Sequence, residues 1–404
     1  MQSARQEGPF AVSLVRSLTK KAHFLDYQIS RLSRKRRVLV EMRTPVYHSV
    51  LSPICEAIRD QIPTASIQYT SEYPDRIRGL VPAGQFMTHA DAEWTRFDLY
   101  LNADPWAAVR LRRCARRVNF FHGVAGKYDL DRPVGLPIGL DQYDRIAFIN
   151  RDRMERYRDA GLVTGTQAVL VGYPKLDRLA LGKIDAGSVR ASLGFDNGRR
   201  IVLYAPTYSP ASSLHFAGEA IIEALATTGF NVVVKLHDRS LDSDPRYTAG
   251  IDWRQRLRAL EQLGRVRHVE TPDVSPLLAA ADLMVTDHSS VGFEYLVLDR
   301  PLIVFDTPGL IEAARINPEK VALLRSAATV VATAQELESA ARESIAVPER
   351  LSRERRDVAN AMFFKPGTAT DRAVALVRQM LQTGGRAYGM ASSSTGALGG
   401  EIAS

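Results

Sequence analysis

An apolar strand at residues 283–285 runs into Thr286-Asp287-His288-Ser289-Ser290, then into a helix and a second apolar strand at 302–305. This stretch, residues 281–306, constrains the chain more than any other. Strand, helix and strand in close succession imply parallel strands with helices packed on the sheet. A strand that ends in small hydroxyl residues at a helix start also gathers free amides, hydroxyls and the positive end of the helix dipole, which favours an anion. Glu294 lies about one turn further in, within reach of a ribose hydroxyl. The segment reads as part of an α/β enzyme holding a nucleotide diphosphate near Ser289. An ordinary helix cap is the alternative.

The same alternation recurs along the chain. Residues 38–42, 65–69, 97–101, 118–121, 145–150 and 168–171 read as strands with helices between them. A polar stretch with a short helix, 182–198, looks like an interdomain connection. Strands at 201–204, 232–236 and 266–269 then lead into the 281–306 stretch. The pattern predicts two doubly wound Rossmann-like α/β domains facing a cleft. Their expected bounds are 38–182 and 183–365. A helix at 366–382 is expected to pack back across them, and 383–404, rich in Gly, Ser and Ala, is expected to be disordered.

With 404 residues, the chain can bury two full cores. Its two cysteines, Cys55 and Cys114, lie far apart without metal-ligand spacing, so neither a disulfide nor a zinc site is expected. No apolar run approaches the length of a membrane span, and no signal peptide is legible. These features fit a cytoplasmic protein. The net charge of +8 is concentrated at one end, because residues 1–37 carry nine Lys/Arg against Glu7 and Asp26. Leu14, Val15, Leu18, Ala22, Leu25, Ile29 and Leu32 fall on one helical stripe, with Arg16, Lys20, Lys21, Arg31, Arg34 and Lys35 opposite. Such a basic amphipathic helix suits an anionic membrane surface through residues 10–35, on the inner face of the cytoplasmic membrane. The other reading is a helix packed on the first domain. Nucleic acid is not expected, since no stacking platform accompanies the charge.

Ligands of open parallel sheets bind beyond the carboxyl ends of the strands, and four strand ends carry chemistry. His122-Gly123-Val124-Ala125-Gly126-Lys127 follows the fourth strand, and His122 suits a general base near neutral pH or, alternatively, a tie for the turn. Tyr204-Ala205-Pro206-Thr207 lets backbone approach a ligand and supplies a hydroxyl. Lys235, His237 and Arg239 cluster at another strand end, with Lys235 and His237 on one side of the extended chain, where their charge suits a pyrophosphate. Thr286 to Ser290 is the fourth. The Asp242-Ser243-Asp244 triplet lies in a polar loop and is not read as a metal site. Arg110 to Arg117 is read as a solvated helix face. No P-loop or Gly-x-Gly-x-x-Gly fingerprint occurs.

In this order, the four motifs resemble those of the CDP-glycerol glycerophosphotransferase family, the teichoic-acid primases and polymerases and their capsule-synthesis relatives. His122-Gly123, Tyr204-Ala205-Pro206-Thr207, Lys235-Leu236-His237 and Thr286-Asp287-His288-Ser289-Ser290 carry the resemblance. Gly172-Tyr173-Pro174-Lys175-Leu176-Asp177 adds to it at the domain junction. It covers roughly residues 95 to 380. The resemblance implies a GT-B-like fold and attack of an acceptor hydroxyl on the β-phosphorus of CDP-glycerol, releasing CMP. It also implies His122 as base, His237 at the diphosphate, Ser289 and Ser290 on phosphate oxygens, and Thr207 and Glu294 in the nucleotide pocket. Lys235, Arg239 and Asp287 join that nucleotide side, while Gly123 and Lys127 are expected on the acceptor side. No cofactor or metal is expected. The expected partners are a CDP-activated donor and a polyol-phosphate or glycan acceptor, lipid-linked in one version. The motif continues Gly123-Val124-Ala125 where the family commonly has Gly-Thr-Pro, His288 replaces a common Tyr, and Glu294 stands where Asp is frequent. These departures leave open a CDP-ribitol donor or a nucleotide-sugar glycosyltransferase or 2-epimerase. A catalytically silent scaffold is the rival from another class.

Overall fold

The computed structural model describes residues 21–30, 32–104, 109–127, 129–131, 139–195 and 198–383. Two six-stranded sheets form the frame. The first contains β1 (Arg36–Glu41), β2 (Ala65–Thr70), β3 (Leu99–Asn102), β4 (Arg117–Phe120), β5 (Arg145–Phe148) and β6 (Ala168–Leu170), in the order β2-β1-β3-β4-β5-β6. The second contains β7 (Ile201–Tyr204), β8 (Asn231–Val234), β9 (Val266–His268), β10 (Leu283–Thr286), β11 (Leu302–Phe305) and β12 (Thr329–Val331), in the order β12-β11-β10-β7-β8-β9.

Every pairing between these strands is parallel. The strands read as near-continuous apolar runs because helices cover both faces of each sheet. Val38, Leu39 and Val40 of β1 and all four residues of β7 are buried. In each sheet the strand order reverses once, between β1 and β3 and between β7 and β10. A crevice opens at such a switch point, and the segments leaving β1, β3, β7 and β10 all run into it.

The C-terminal helix Ala369–Thr383 returns to the first domain and packs on its helix Pro45–Gln61. Val374, Val377, Met380 and Leu381 are buried there. At roughly 1.5–3 kcal/mol for each large apolar side chain buried, this seam ties the helix that follows the second domain firmly to the first. The edge strand β12 escaped the sequence reading. Its three residues, Thr329 to Val331, are too few to show a period beside the helix that follows.

The basic N-terminal segment is described from residue 21, so Leu14, Val15, Leu18, Arg16, Lys20 and Arg31 of the expected helix lie outside the described residues, as does the expected disordered tail from 384 onward. Residues 21–30 are helical and dock by their polar side. Asp26 accepts from both terminal nitrogens of Arg37 at 2.7 Å, Arg113 donates to the His23 carbonyl at 3.0 Å, and its guanidinium lies 4.6 Å from the Tyr27 ring. The apolar stripe faces outward instead: Phe24, Leu25, Ile29 and Leu32 are 58, 60, 57 and 88% exposed. Half-buried arginine–carboxylate and arginine–carbonyl contacts decide this orientation. No helix among the described residues is long and apolar enough to cross a membrane.

Candidate active site

A cavity of about 570 Å³ lies between the two sheets at their switch points. His122, Gly123, Lys127, Thr207, Lys235, His237, Arg239, Ser289, Ser290 and Glu294 all line it, so ten of the eleven residues singled out from sequence converge there. Asp287 does not. It is fully buried behind the cavity, where its carboxylate accepts from the Thr207 amide at 2.9 Å, the Ser213 amide at 3.2 Å and the Ser213 hydroxyl at 3.1 Å. Thr286 donates its hydroxyl to the Ala205 carbonyl at 2.6 Å. The residues that end β10 therefore shape the turn that ends β7, which presents Thr207 to the cavity.

On the first sheet, His122 follows β4. Its Nδ1 lies 2.5 Å from the Ala103 carbonyl oxygen. A carbonyl only accepts, so this partner assigns the proton to Nδ1 and leaves Nε2 with a free lone pair. Burial pushes the His122 pKa below its usual 6.5, more than nearby Asp104 raises it. The Tyr47 ring meets the imidazole edge-on, with centroids 4.5 Å apart. Asp104 follows β3 and pairs with Arg43 at 3.2 Å, and Arg43 in turn reaches Glu72 at 2.7 Å. None of Arg43, Tyr47 and Asp104 stands out in the sequence, although Asp104 and Arg43 both lie just past strand ends.

On the second sheet, Lys235 and His237 follow β8 and reach the same cavity. Burial lowers the Lys235 amine to about 8, and Nζ donates to the Leu236 carbonyl at 2.9 Å. His237 Nδ1 accepts from the Arg239 amide at 3.1 Å, which caps the turn after β8, and lies 2.6 Å from Asp238 Oδ1. Burial lowers the His237 pKa, against the pull of Asp238. Tyr208 packs on His237 with ring centroids 4.4 Å apart, and the Arg239 guanidinium lies 5.2 and 4.8 Å from the Tyr208 and Tyr247 rings.

Ser289 precedes the helix Ser290–Leu296 and makes no side-chain cap bond, so its hydroxyl is not spent on the helix end. Ser290 Oγ accepts from the Ala125 amide at 3.3 Å, across the cleft. Glu294 forms a buried pair with Lys175, Nζ to Oε2 at 2.6 Å, with side chains 4 and 6% exposed. Lys175 comes from the Gly172–Asp177 segment at the domain junction. The pair fixes where the Glu294 carboxylate points. Asp242 pairs across the cleft with Arg76 at 3.5 Å, and Asp244 is spent on its own helix start and Arg246. Among the described residues, no group of three or more His, Cys, Asp or Glu is placed to hold a metal.

The loop bearing His122 is braced from behind by residues the sequence did not flag. Arg153 donates to the Gly123 carbonyl at 2.6 Å and pairs with Asp131 at 2.8 Å. Asn317, from the second domain, donates its side-chain amide to Asp131 at 3.2 Å and its backbone amide to the Gly126 carbonyl at 3.1 Å. Gly126 has φ +61°, and a Cβ there would strike Asp131 Oδ2.

Residues 141–308 match the family described as CDP-glycerol:poly(glycerophosphate) glycerophosphotransferase. The chain is 27% identical over 153 residues to a teichoic acid glycerol-phosphate transferase of Staphylococcus aureus, covering 37% of this chain and 38% of the relative. It is 29% identical over 112 residues to a teichoic acid glycerol-phosphate primase of Bacillus subtilis, covering 26% of each. The matched stretch thus spans well under half the length of these curated relatives. Among solved structures, the wall teichoic acid polymerase TagF superposes with a TM-score of 0.64 at 15% identity, over 92% of this chain and 95% of that one. The UDP-GlcNAc 2-epimerase of Neisseria meningitidis superposes at 0.55 and 13% identity, over 86% and 100%. At such identities these likenesses speak for the fold, two Rossmann-like domains of GT-B type.

Proposed function

We propose that this chain transfers a phospho-alditol, glycerol phosphate or a close analogue, from a CDP-activated donor to an acceptor hydroxyl in cell-surface polymer synthesis. The observation that carries the reading is the convergence of His122, from one sheet, on Thr207, Lys235, His237, Ser289, Ser290 and Glu294, from the other. His122 Nε2 takes the proton of the acceptor hydroxyl, whose oxygen attacks the β-phosphorus. The bond from that phosphorus to the bridging oxygen breaks, CMP leaves, and a phosphodiester remains. Such a transfer depends on positioning and on neutralising charge at the phosphates, which Lys235, His237 and Arg239 supply. Glu294, aimed by Lys175, serves the ribose. The relatives named for teichoic acid glycerol-phosphate transfer, and a TagF variant solved after soaking with CDPG, support this donor class. A nucleotide-sugar reaction is the second reading, favoured by the full-length superposition of the epimerase.

The acceptor is a polyol phosphate or glycan, and the reaction takes place on the cytoplasmic side. The outward apolar stripe of helix 21–30, beside Lys21, Arg34 and Lys35, suits attachment to an anionic membrane surface. Removal of residues 1–35 should abolish sedimentation with anionic vesicles, and retention of it would reject that attachment. The donor is tested by melting the protein with CDP-glycerol, CDP-ribitol, CMP, UDP-GlcNAc and UDP, because a ligand of the native state raises the melting temperature. Stabilisation by cytidine ligands, lost in Ser289→Ala/Ser290→Ala, is expected. Stabilisation by uridine ligands alone would favour the second reading.

A further inference from the structure

The sequence assigns Lys127 to the acceptor side because it follows His122 on the first domain. Its amine lies elsewhere. Lys127 crosses the cleft, and its Nζ sits 2.5 Å from Thr207 Oγ1, at the end of β7. The geometry points to Lys127 as a ligand of the donor diphosphate, reaching from the base-bearing loop to complete the phosphate site of the opposite domain. This inference rests on the transferase reading above.

Three observations carry it. The first is the balance of charge in the cavity. Arg43, Arg76 and Lys175 are neutralised by Asp104, Asp242 and Glu294. Lys127, Lys235 and Arg239 also line the cavity, and among the described residues none of these three is in a salt bridge; Lys127 bonds a hydroxyl and Lys235 a carbonyl. Three cations left over from protein pairing match a diphosphate, and Lys127 is the one supplied by the first domain. The second is its setting: burial lowers the amine to about 8 against the pull of Asp287, whose oxygens are already bonded to Thr207 and Ser213. An arriving phosphate therefore supplies the counter-charge this amine lacks.

The third is the rigidity of the loop. Arg153 holds the Gly123 carbonyl, Asn317 holds the Gly126 carbonyl, and Ala125 bonds Ser290. A loop tied at 123, 125 and 126 presents Lys127 and His122 as one unit. Contact between Lys127 and the donor then fixes His122 relative to the β-phosphorus, so donor occupancy and base placement are coupled.

The test is titration of the full chain with CDP-glycerol, CMP and cytidine, for the wild type, Lys127→Met, Lys127→Arg and His122→Ala. Loss of one charge-assisted phosphate contact predicts roughly 10- to 100-fold weaker binding of CDP-glycerol and CMP to Lys127→Met. Cytidine binding should be unchanged, Lys127→Arg should recover most of the loss, and His122→Ala should bind donor as the wild type does. Unchanged CDP-glycerol affinity in Lys127→Met would overturn the inference and return Lys127 to the acceptor. A wild type that binds no cytidine ligand would overturn the transferase reading itself. Unliganded melting checks folding, and Lys127→Gln replaces the methionine variant if that one does not fold.

Discussion

Replacing Lys175 with methionine removes one charge of a buried pair while keeping most of the side chain's length and its apolar stem. In the native protein Nζ lies 2.6 Å from Glu294 Oε2, and neither side chain is more than 6% exposed. Removing one partner of such a pair costs about 3–5 kcal/mol, most of it the penalty for an uncompensated buried carboxylate. Removing both charges, Lys175→Met with Glu294→Gln, leaves no stranded ion and should recover much of that loss. Urea unfolding followed by tryptophan fluorescence gives the measurement, since Trp253 is buried in the second domain against His215. The same variants should bind CDP-glycerol weakly if Glu294 serves the ribose as proposed, because its carboxylate has lost its orientation or its charge. The reasoning fails if Lys175→Met unfolds at the wild-type urea concentration, or if the double variant is no more stable than the single one.

His288 is 2% exposed, and among the described residues neither ring nitrogen has a hydrogen-bond partner. Burial, aided by Arg325, lowers its pKa from 6.5 to about 4, worth about 3 kcal/mol. That stability is present above pH 6.5 and is lost as pH falls toward 4, because the unfolded chain takes up the proton first. His288→Phe should flatten this part of the stability–pH curve, and an unchanged curve would disprove the assignment. The His122 pKa is lowered too, so kcat/KM should hold level through neutral pH and fall only below about 6.5; an acid limb above pH 7 would point to another base. Gly126→Ala forces an L-residue into φ +61° against Asp131, and should cost more than about 1 kcal/mol and lower donor affinity together with turnover. Native stability and activity in that variant would show that the loop is not held as described.

Much of this architecture was legible because parallel strands buried on both faces are written as apolar runs, and eleven of the twelve strands among the described residues were visible that way. The exception, β12, is a three-residue edge strand. Strand-end residues were legible for a related reason: His122, Thr207, Lys235 and Ser289 interrupt apolar runs, where polar groups need a purpose. Contacts across long sequence separations were not. Nothing near Lys175 announces Glu294, and nothing near Arg153 announces Asp131 or Asn317, because the partners meet only after the sheets are assembled. Asp287 shows the opposite failure. It sits in the motif most suggestive of ligand binding, yet its oxygens serve the Thr207 turn and Ser213. The N-terminal helix also resisted pattern reading, since its orientation follows from Arg37, Arg96 and Arg113, three residues that gave no periodic signal.

The most direct test of the account is release of CMP from CDP-glycerol by the purified chain in the presence of a polyol-phosphate acceptor, measured beside His122→Ala. The account predicts that CMP and a new phosphodiester form in equal amounts with the wild type, and that His122→Ala binds the donor but releases almost none. Turnover by His122→Ala at the wild-type rate, or donor binding by the wild type with no CMP formed, would contradict it.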